Sequence, residues 1–212
     1  MSYQAVIFDL GGVVLDSPLH TIAHYERDLG IPEGHINRVV VETGPTGAWS
    51  RLERGEIAMD VFFGHFDREC ADAGHVISAA EMMKRIASSS GPRPAMLAAI
   101  RKLRAGDYRV AALTNNWASD SVDATPRHPE IRDLFHVFVE SSFVGLRKPD
   151  PRIYEHTCEA LGVEPAHSIF LDDIGSNLKS ARALGMHTIK VVSAEQALGE
   201  LGSVVDLDFS SG

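Results

Sequence analysis

The feature that most constrains the fold of this chain is a series of short apolar runs that alternate with segments of helical periodicity. The first run, residues 5–8, is wholly apolar and stops at Asp9, as expected for a strand buried on both faces of a parallel sheet. Comparable runs follow at residues 110–113, 136–139, 168–171 and 188–192. Helical patterns occur at residues 94–103, 151–161 and 178–184. The alternation predicts an α/β fold, with a Rossmann-like parallel sheet covered by helices on both faces.

One long segment, residues 16–92, interrupts the alternation directly after the first apolar run. It contains no strand candidate, and five stretches have helical periodicity: residues 19–29, 33–42, 48–54, 58–70 and 79–87. The small residues and the proline at 88–92 are typical of a domain boundary. We therefore predict an α/β core formed by residues 1–15 and 93–212, with an α-helical cap, residues 16–92, inserted after the first strand.

Composition and charge limit the partners and the compartment. The 212 residues carry 20 Lys and Arg against 29 Asp and Glu, a net charge of -9 that repels nucleic acid and anionic bilayers. Two cysteines cannot form a disulfide framework, and no apolar run approaches the roughly 18 residues of a membrane span. The first residues also lack the basic region of a secretory signal. We therefore predict a cytoplasmic protein with neither nucleic acid nor a membrane as partner, and make no prediction of its oligomeric state.

Polar and reactive side chains follow the apolar runs, where the predicted strands end. They are Asp9 after the first run, Thr114 and Asn115 after the second, Lys148 beyond the third, and Asp172 with Asp173 after the fourth. Each has an ordinary explanation, because Asp and Asn are frequent in turns and acidic pairs are usually solvated. Their joint occurrence favours a site, because the carboxyl ends of parallel strands share one edge of the sheet, where ligands bind.

The residue types at this edge suit one kind of chemistry. Carboxylates at close range repel one another, so Asp9, Asp172 and Asp173 favour a hard divalent cation such as Mg²⁺, which takes one or two carboxylates with water and phosphate oxygens. Lys148 would add a positive charge, and Thr114 with backbone N–H groups would donate to phosphoryl oxygens. Such a site favours in-line attack by Asp9 on a phosphate ester and an aspartyl-phosphate that water hydrolyses.

Four segments, in order along the chain, resemble the four motifs of the haloacid dehalogenase superfamily of hydrolases. They are residues 8–13 (FDLGGV), 113–115 (LTN), 145–150 (GLRKPD) and 170–177 (FLDDIGSN). The resemblance covers nearly the whole chain. More narrowly, the chain resembles the subgroup that contains the amino-terminal phosphatase domain of soluble epoxide hydrolase, particularly in residues 113–117, in residues 170–175 and in the cap at 54–57.

The resemblance implies a magnesium centre built around Asp9. By position, Asp9 is the nucleophile and a metal ligand, Gly11 gives its backbone carbonyl to the metal, and Asp173 is the direct acidic ligand. Asp172 and Asn177 would orient water around the metal from outside the ligand set. The cofactor that the resemblance implies is therefore Mg²⁺.

The resemblance also implies how the substrate is held. Thr114, Asn115 and Lys148 would hold the phosphoryl group, and Asp9 and Lys148 would be the catalytic residues. The cap, residues 16–92, would close over the site and select the substrate. The implied function is Mg²⁺-dependent hydrolysis of a small-molecule phosphate ester, a phosphomonoester, through an aspartyl-phosphate.

One position departs from the phosphatases of the family, which usually carry a second Asp two residues after the nucleophile as general acid and base. Gly11 stands there, and positioned acid–base catalysis is typically worth about 10²–10⁴-fold. Three explanations stay open: a leaving group that needs little protonation, a substitute acid from the cap, or slow turnover. Two other functions also stay open, a 2-haloacid dehalogenase that uses the same nucleophile without metal, and a catalytically weak relative that binds a ligand.

Two features of the cap bear on the substrate. His20 and His24 lie one turn apart in the first predicted helix and are candidates for the missing proton donor, although a solvated helix face explains them as well. Trp49 and the phenylalanines of segment 62–66 have the spacing of a cap core, and some of them are candidates for an apolar pocket. The sequence does not distinguish lipid-like, sugar and general metabolite phosphates.

Overall fold

A computed structural model describes residues 2–89, 91–118 and 129–209 of the chain. Five parallel strands form one sheet in the order β3-β2-β1-β4-β5. They are β1 (Ala5–Phe8), β2 (Arg109–Thr114), β3 (Val137–Glu140), β4 (Ser168–Asp172) and β5 (His187–Lys190). The prediction of an α/β fold with a parallel sheet is confirmed. The all-apolar β1 is the central strand, since β2 and β4 pair with its two edges.

Five helices follow β1 and form a helical unit, residues 18–89. They are α1 (Pro18–Leu29), α2 (His35–Thr43), α3 (Ala48–Glu53), α4 (Met59–Asp72) and α5 (Ala79–Ser89). Four of them bury one face, as amphipathic helices do, whereas the short α3 is buried along most of its length. The buried apolar side chains form a cluster of their own that includes Trp49, Phe62 and Phe66. The helical unit is therefore held together by a core separate from that of the sheet.

The remaining helices cover the sheet. They are α6 (Pro94–Ala105), α7 (Pro129–Arg132), α8 (Ser141–Val144), α9 (Pro151–Leu161), α10 (Gly175–Ala183) and α11 (Ala194–Val205). Alternate residues of β1 face opposite sides, so that Val6 and Phe8 pack with α6 and α11, whereas Ala5 and Ile7 pack with α9 and α10. None of the helices in the described part of the chain is long and apolar enough to cross a membrane.

The fifth strand is shorter than its apolar run predicts. β5 ends at Lys190, whereas the run continues to Val192. The reason is the start of α11, where Ser193 and Gln196 form a capping box. The Gln196 Oε1 also accepts a hydrogen bond from the Val192 N–H at 3.0 Å. The backbone of Val192 is thus part of a helix start and not of the sheet.

Two segments connect the helical unit to the sheet domain, and they pair with each other. The Asp16 N–H donates to the Gly91 carbonyl at 2.9 Å, and the Arg93 N–H donates to the Val14 carbonyl at 2.8 Å. Ser90, within the predicted boundary, lies outside the described residues. The chain therefore leaves and re-enters the sheet domain at one place, close to the end of β1.

Candidate active site

The register of the sheet brings the carboxylates of the predicted site together. Phe8 of β1 pairs with Leu171 of β4, so the residues that follow them, Asp9 and Asp172, lie side by side. The Asp9 N–H donates to the Leu171 carbonyl at 2.9 Å and extends this pairing by one residue. Carboxylate oxygens of Asp9, Asp172 and Asp173 lie within 4.8 Å of one another. Three acidic groups therefore share one point at the carboxyl edge of the sheet.

Lys148 is buried among these carboxylates. Its Nζ lies 2.8 Å from Asp9 Oδ1 and 2.8 Å from Asp172 Oδ2, and only 1% of its side chain is exposed. The ammonium also lies 5.5 Å from the centre of the Phe170 ring. A lysine this deeply buried is stable only when its charge is paired, so Lys148 and the two carboxylates depend on one another.

Burial and charge shift the ionisation of this cluster. Burial raises the pKa of Asp9, and repulsion from Asp172 and Asp173 raises it further, whereas Lys148 acts in the opposite direction. Burial and the charge of Asp172 also raise the pKa of Asp173. Burial alone would lower the pKa of Lys148, but Asp172 and Asp9 raise it above its ordinary value. One ammonium faces three carboxylates, and a further positive charge would keep all three ionised.

The Asp172 carboxylate holds Lys148 and does not line the cavity above the site. It accepts a hydrogen bond from the Ile174 N–H at 2.7 Å and from Asn177 Nδ2 at 3.0 and 3.2 Å. Both of its oxygens are therefore engaged. Asn177 is fixed in turn, because its backbone carbonyl accepts from the Tyr154 hydroxyl at 3.0 Å. Asp172 and Asn177 thus form a buried support beneath the reactive edge.

The residues at this edge fit a divalent metal ion. Asp173 approaches the loop after Asp9 so closely that a Cβ at Gly12 would overlap its carboxylate, and Gly12 has a φ of +80° that favours glycine. The Asp173 Oδ1 is buried and has no hydrogen-bond partner among the described residues. An unpartnered carboxylate oxygen beside two further carboxylates is suited to a hard cation such as Mg²⁺.

Thr114 and Asn115 follow β2 at the same edge. Thr114 is buried in the wall of the cavity, and its hydroxyl lies 3.4 Å from the Asn115 carbonyl. The Asn115 side chain binds the backbone of Lys148, because its Oδ1 accepts from the Lys148 N–H at 2.8 Å and its Nδ2 donates to the Lys148 carbonyl at 3.0 Å. The Asn115 carboxamide therefore positions Lys148. Asn115 also lines the cavity, and its contact with a phosphoryl group, which the resemblance implies, stays a prediction.

A cavity of about 1160 Å³ lies above this edge, between the sheet domain and the helical unit. Its wall on the sheet side includes Asp9, Thr114, Lys148 and Asp173. Its wall on the helical side is mainly apolar and includes Pro18, Leu19, Ile22, Ile36, Val40 and Trp49. A cavity with charged residues on its sheet side and apolar residues on its helical side suits an organic molecule that carries one anionic group.

The model of the haloacid dehalogenase-like hydrolase family matches residues 3–185. The chain belongs to this family. The expectation drawn from the four motifs is thus confirmed. Among curated relatives, the chain is 38% identical to mouse acyl-CoA dehydrogenase family member 10, over 96% of this chain and 19% of that protein. It is 34% identical to pig bifunctional epoxide hydrolase 2, over 96% of this chain and 39% of that protein. The hydrolase therefore spans well under half the length of these two relatives.

Other similar proteins have the length of this hydrolase. It is 28% identical to the sesquiterpene phosphatase astK of Aspergillus oryzae, over 96% of this chain and 97% of that protein. A HAD-like family hydrolase of Porphyromonas gingivalis has the same fold, with a TM-score of 0.70 and 20% identity over 98% of this chain and 100% of that one. So has a HAD family enzyme of Bacteroides thetaiotaomicron solved with magnesium and inorganic phosphate, with a TM-score of 0.64 and 21% identity over 94% and 99% of the two chains.

The hydrolase has no acid at the position of Gly11. A Cβ there would lie 3.3 Å from Cδ of Pro18, so the first turn of α1 borders this position. His20 and His24 are exposed, and neither is among the residues that line the cavity. The structure therefore supports neither histidine as the missing proton donor.

Sequence reasoning missed two residues of the cavity wall in this hydrolase, Glu53 and Arg147. The Arg147 Nε donates to Glu53 Oε2 at 2.6 Å, although 94 positions separate the two residues. The available signals were indirect, since Arg147 stands directly before Lys148 and the segment 54–57 that resembles the family begins directly after Glu53. Neither signal indicates that the two side chains meet.

Proposed function

We propose that this hydrolase is a Mg²⁺-dependent phosphomonoesterase for a small organic phosphate, with Asp9 and Lys148 as its catalytic residues. The observation that carries the proposal is the pairing of Asp9 with the buried Lys148 in the cavity wall, beside an unpartnered oxygen of Asp173. The sesquiterpene phosphatase, similar over nearly its whole length, supports it. So does the magnesium and inorganic phosphate bound by the Bacteroides enzyme of the same fold.

Two displacements at phosphorus account for the reaction. The Asp9 carboxylate attacks phosphorus, the bond from phosphorus to the ester oxygen breaks, and that oxygen takes a proton from solvent and leaves as the alcohol. Water then attacks the phosphorus of the aspartyl-phosphate and gives up a proton to solvent. The bond from phosphorus to the Asp9 oxygen breaks, which releases inorganic phosphate and restores the Asp9 carboxylate. Lys148 stabilises the charge on the phosphoryl oxygens, and Thr114 donates its hydroxyl to them. Asn115 and Asp172 keep Lys148 in place.

Asp9, Asp173 and the backbone carbonyl of Gly11 would hold Mg²⁺. When bound, the ion supplies positive charge to the phosphoryl oxygens. Asp172 and Asn177 would not be ligands of the ion, because their side chains already form hydrogen bonds with each other. The Asn177 carbonyl is also occupied, since it accepts a hydrogen bond from the Tyr154 hydroxyl. Asp172 would thus contribute through Lys148.

The substrate that this cavity suits best has a largely apolar organic part. Four of the exposed large apolar side chains line the cavity: Leu19, Val41, Phe143 and Ile174. Together with the apolar wall of the helical unit, they provide surface that only an apolar group would cover favourably. The similarity to the sesquiterpene phosphatase of Aspergillus oryzae supports this class of substrate.

The absence of an acid at Gly11 predicts a dependence on the leaving group. An aryl oxide leaves without much protonation, whereas an alkoxide needs a proton in the transition state. We expect aryl phosphates to react faster than alkyl phosphates of similar size, by up to the roughly 10²–10⁴-fold that a positioned acid typically contributes.

The test is phosphate release from an aryl phosphate with Mg²⁺, after addition of EDTA, and after excess Mg²⁺ is restored. We expect hydrolysis that stops with EDTA and returns with Mg²⁺. Hydrolysis that continues unchanged in EDTA would contradict the metal-dependent proposal.

Gly11 also keeps a second candidate function open, a 2-haloacid dehalogenase, because halide leaves without a proton. The same preparation is therefore assayed for chloride release from 2-chloropropionate in EDTA. Chloride release without phosphate release would establish this alternative. The acidic pair at Asp172 and Asp173 favours the phosphatase, because a reaction without metal has little use for it.

A further inference from the structure

We infer that Glu53 of the helical unit is a positioning residue for Lys148, which it reaches through its ion pair with Arg147. The inference rests on the proposed function, in which Lys148 is catalytic, and assigns a role to a contact outside the reacting groups. It places one determinant of the rate in α3, on the opposite side of the cavity from the nucleophile.

The Glu53 carboxylate is fully engaged at the boundary between the two parts of the molecule. Its Oε1 accepts from Trp49 Nε1 at 2.9 Å, and its Oε2 accepts from Arg147 Nε at 2.6 Å. The Arg147 Nη1 donates to the Ser50 hydroxyl at 3.0 Å, and that hydroxyl donates to the Gly44 carbonyl at 2.7 Å. Two atoms of one guanidinium therefore bind two residues of α3, which fixes both the distance and the direction of the contact.

The pair is shielded from water more than the other ion pairs of the helical unit. The Glu53 side chain is 8% exposed and that of Arg147 is 23% exposed. Among the described residues, the other ion pairs within the helical unit, residues 18–89, each have at least one side chain that is 46% exposed or more. Shielding strengthens the interaction between charges and reduces its screening by salt.

Only one peptide bond separates the Arg147 contact from the catalytic lysine. The Lys148 backbone is held from the other side by Asn115, at both its N–H and its carbonyl. The Lys148 side chain ends on Asp9 and Asp172, at 2.8 Å from each. The chain is thus held at Arg147 by Glu53 and at Lys148 by Asn115. A shift of Arg147 would therefore move the Lys148 ammonium relative to Asp9.

Two further contacts hold α3 and the turn after it against the sheet domain. A Cβ at Gly55 would overlap the carbonyl oxygen of Ser142, in α8, and Gly55 has a φ of +68°. The Trp49 ring lies edge-on to Trp117, with ring centres 6.1 Å apart. The Glu53 carboxylate therefore lies where α3 packs closely against the sheet domain, and its distance from the Arg147 guanidinium is fixed.

The experiment compares Glu53→Gln, Arg147→Met and the double variant with Glu81→Gln, all in the full chain. Glu81 is the matched control, because its carboxylate pairs with Arg85 inside the helical unit and, among the described residues, forms no ion pair with the sheet domain. Each single variant should lower kcat for an aryl phosphate by about 10- to 100-fold with little change in KM, since small displacements of catalytic groups cost this much. The double variant should lose no more than the larger single loss.

Three outcomes would overturn the inference. They are an unchanged kcat in both single variants, a lower melting temperature with kcat retained, and losses that multiply in the double variant. Should Glu53→Gln fail to fold, Arg147→Lys decides instead. It keeps the charge but loses the second contact to Ser50, so its kcat should lie between those of the parent and Arg147→Met.

A measurement independent of activity separates this inference from the proposed function. In ¹H–¹⁵N spectra, the backbone amides of Lys148 and Asn115 should shift in Glu53→Gln and stay in place in Glu81→Gln. A parent without phosphatase activity would refute the proposed function, and the amide shifts would still decide the positioning. If the parent is active and the amide signals of Lys148 and Asn115 do not shift in Glu53→Gln, the positioning role of Glu53 is refuted and the proposed function stands.

Discussion

The two walls of the cavity are built from different materials. On the sheet wall, Lys148 binds Asp9 directly, and Asp172 holds Lys148 from beneath, so these charges are fixed before any ligand arrives. The helical wall is mainly apolar and belongs to a unit with a core of its own. The rate of reaction and the selection of substrate therefore depend on different residues of this molecule. Changes in the sheet wall, or in the Glu53–Arg147 pair that supports it, should slow every ester alike. Changes in the apolar residues of the helical wall should alter the order of preference among esters.

The largest effect should follow from Asp9→Asn, which keeps the shape of the side chain and removes the nucleophile. We expect phosphate release to fall by about 10⁴-fold or more, and equally for short and long esters. The melting temperature should change little, because the relief of repulsion among three carboxylates offsets the loss of one partner of Lys148, which Asp172 still pairs. The measurement is phosphate release for a series of esters with Mg²⁺.

Asp60→Asn is the control for this variant, since Asp60 lies exposed in the first turn of α4, where its carboxylate accepts from the Val61 N–H. It should match the parent. A parent-like rate in Asp9→Asn would contradict the assignment of Asp9 as the nucleophile. A loss that differs strongly between esters would contradict the view that the sheet wall sets the rate and not the preference among esters.

The next largest effect concerns stability and comes from Phe62→Ala. Phe62 is fully buried in the helical unit, with its ring stacked on Phe66 at 5.2 Å and edge-on to Trp49 at 5.8 Å. Because the ring does not line the cavity, we expect a loss of about 3–5 kcal/mol in the free energy of unfolding and an unchanged kcat in the folded protein. Urea unfolding followed by circular dichroism measures the loss.

Phe143→Ala provides the comparison for that variant, because Phe143 is 74% exposed. Its free energy of unfolding should stay within about 0.5 kcal/mol of the parent. If Phe62→Ala cost no more than Phe143→Ala, the helices would not depend on a shared apolar core.

The parts of the molecule that the sequence predicts are those governed by local pattern. The apolar runs locate all five strands, and the strand ends locate Asp9, Thr114 and Asp172, because a parallel sheet aligns these ends by its register alone. The helices of the unit after β1 begin and end within a few residues of their predicted bounds. Periodicity and strand order therefore account for the fold and for the meeting of the carboxylates.

The parts that the sequence does not predict depend on contacts between distant segments. From sequence, the Asn115 carboxamide could bind either substrate or protein backbone. It binds the backbone of Lys148 because the loop that carries Lys148 lies beside it. The pairing of Glu53 with Arg147 depends on how α3 lies against the sheet domain, which no local pattern encodes. The requirement for glycine at residue 12 arises from Asp173, which approaches it from another loop.

An intermediate effect, on the metal, should follow from Gly12→Ala. The added Cβ would overlap the Asp173 carboxylate at a backbone φ of +80° that disfavours alanine. We expect the Mg²⁺ concentration for half-maximal activity to rise by about 10- to 100-fold, the usual effect of disturbing a residue that orients a metal ligand. The measurement is a Mg²⁺ titration of phosphate release at saturating ester.

Gly64→Ala is the matched control for the metal titration. Gly64 lies in α4, and a Cβ there meets no atom within 4 Å. This variant should keep the Mg²⁺ dependence of the parent and gain up to about 1 kcal/mol of helix stability. An unchanged Mg²⁺ requirement in Gly12→Ala would contradict the assignment of Asp173 as a ligand of the ion.

The smallest effect is the one that tests selection directly. Val41 lies in α2 at the rim of the cavity with 69% of its surface exposed, so Val41→Ser should leave the fold and the reacting groups intact. An apolar ester that extends past the rim would lose contact with one side chain, worth about 1 kcal/mol. We therefore expect kcat/KM for a long-chain alkyl phosphate to fall by about threefold to tenfold, and kcat/KM for a short aryl phosphate to stay unchanged.

Val76→Ser supplies the reference, since Val76 is 80% exposed and does not line the cavity. Equal losses for both esters in Val41→Ser would mean that the apolar residues of the helical wall affect the rate in general, which would contradict their role in selection.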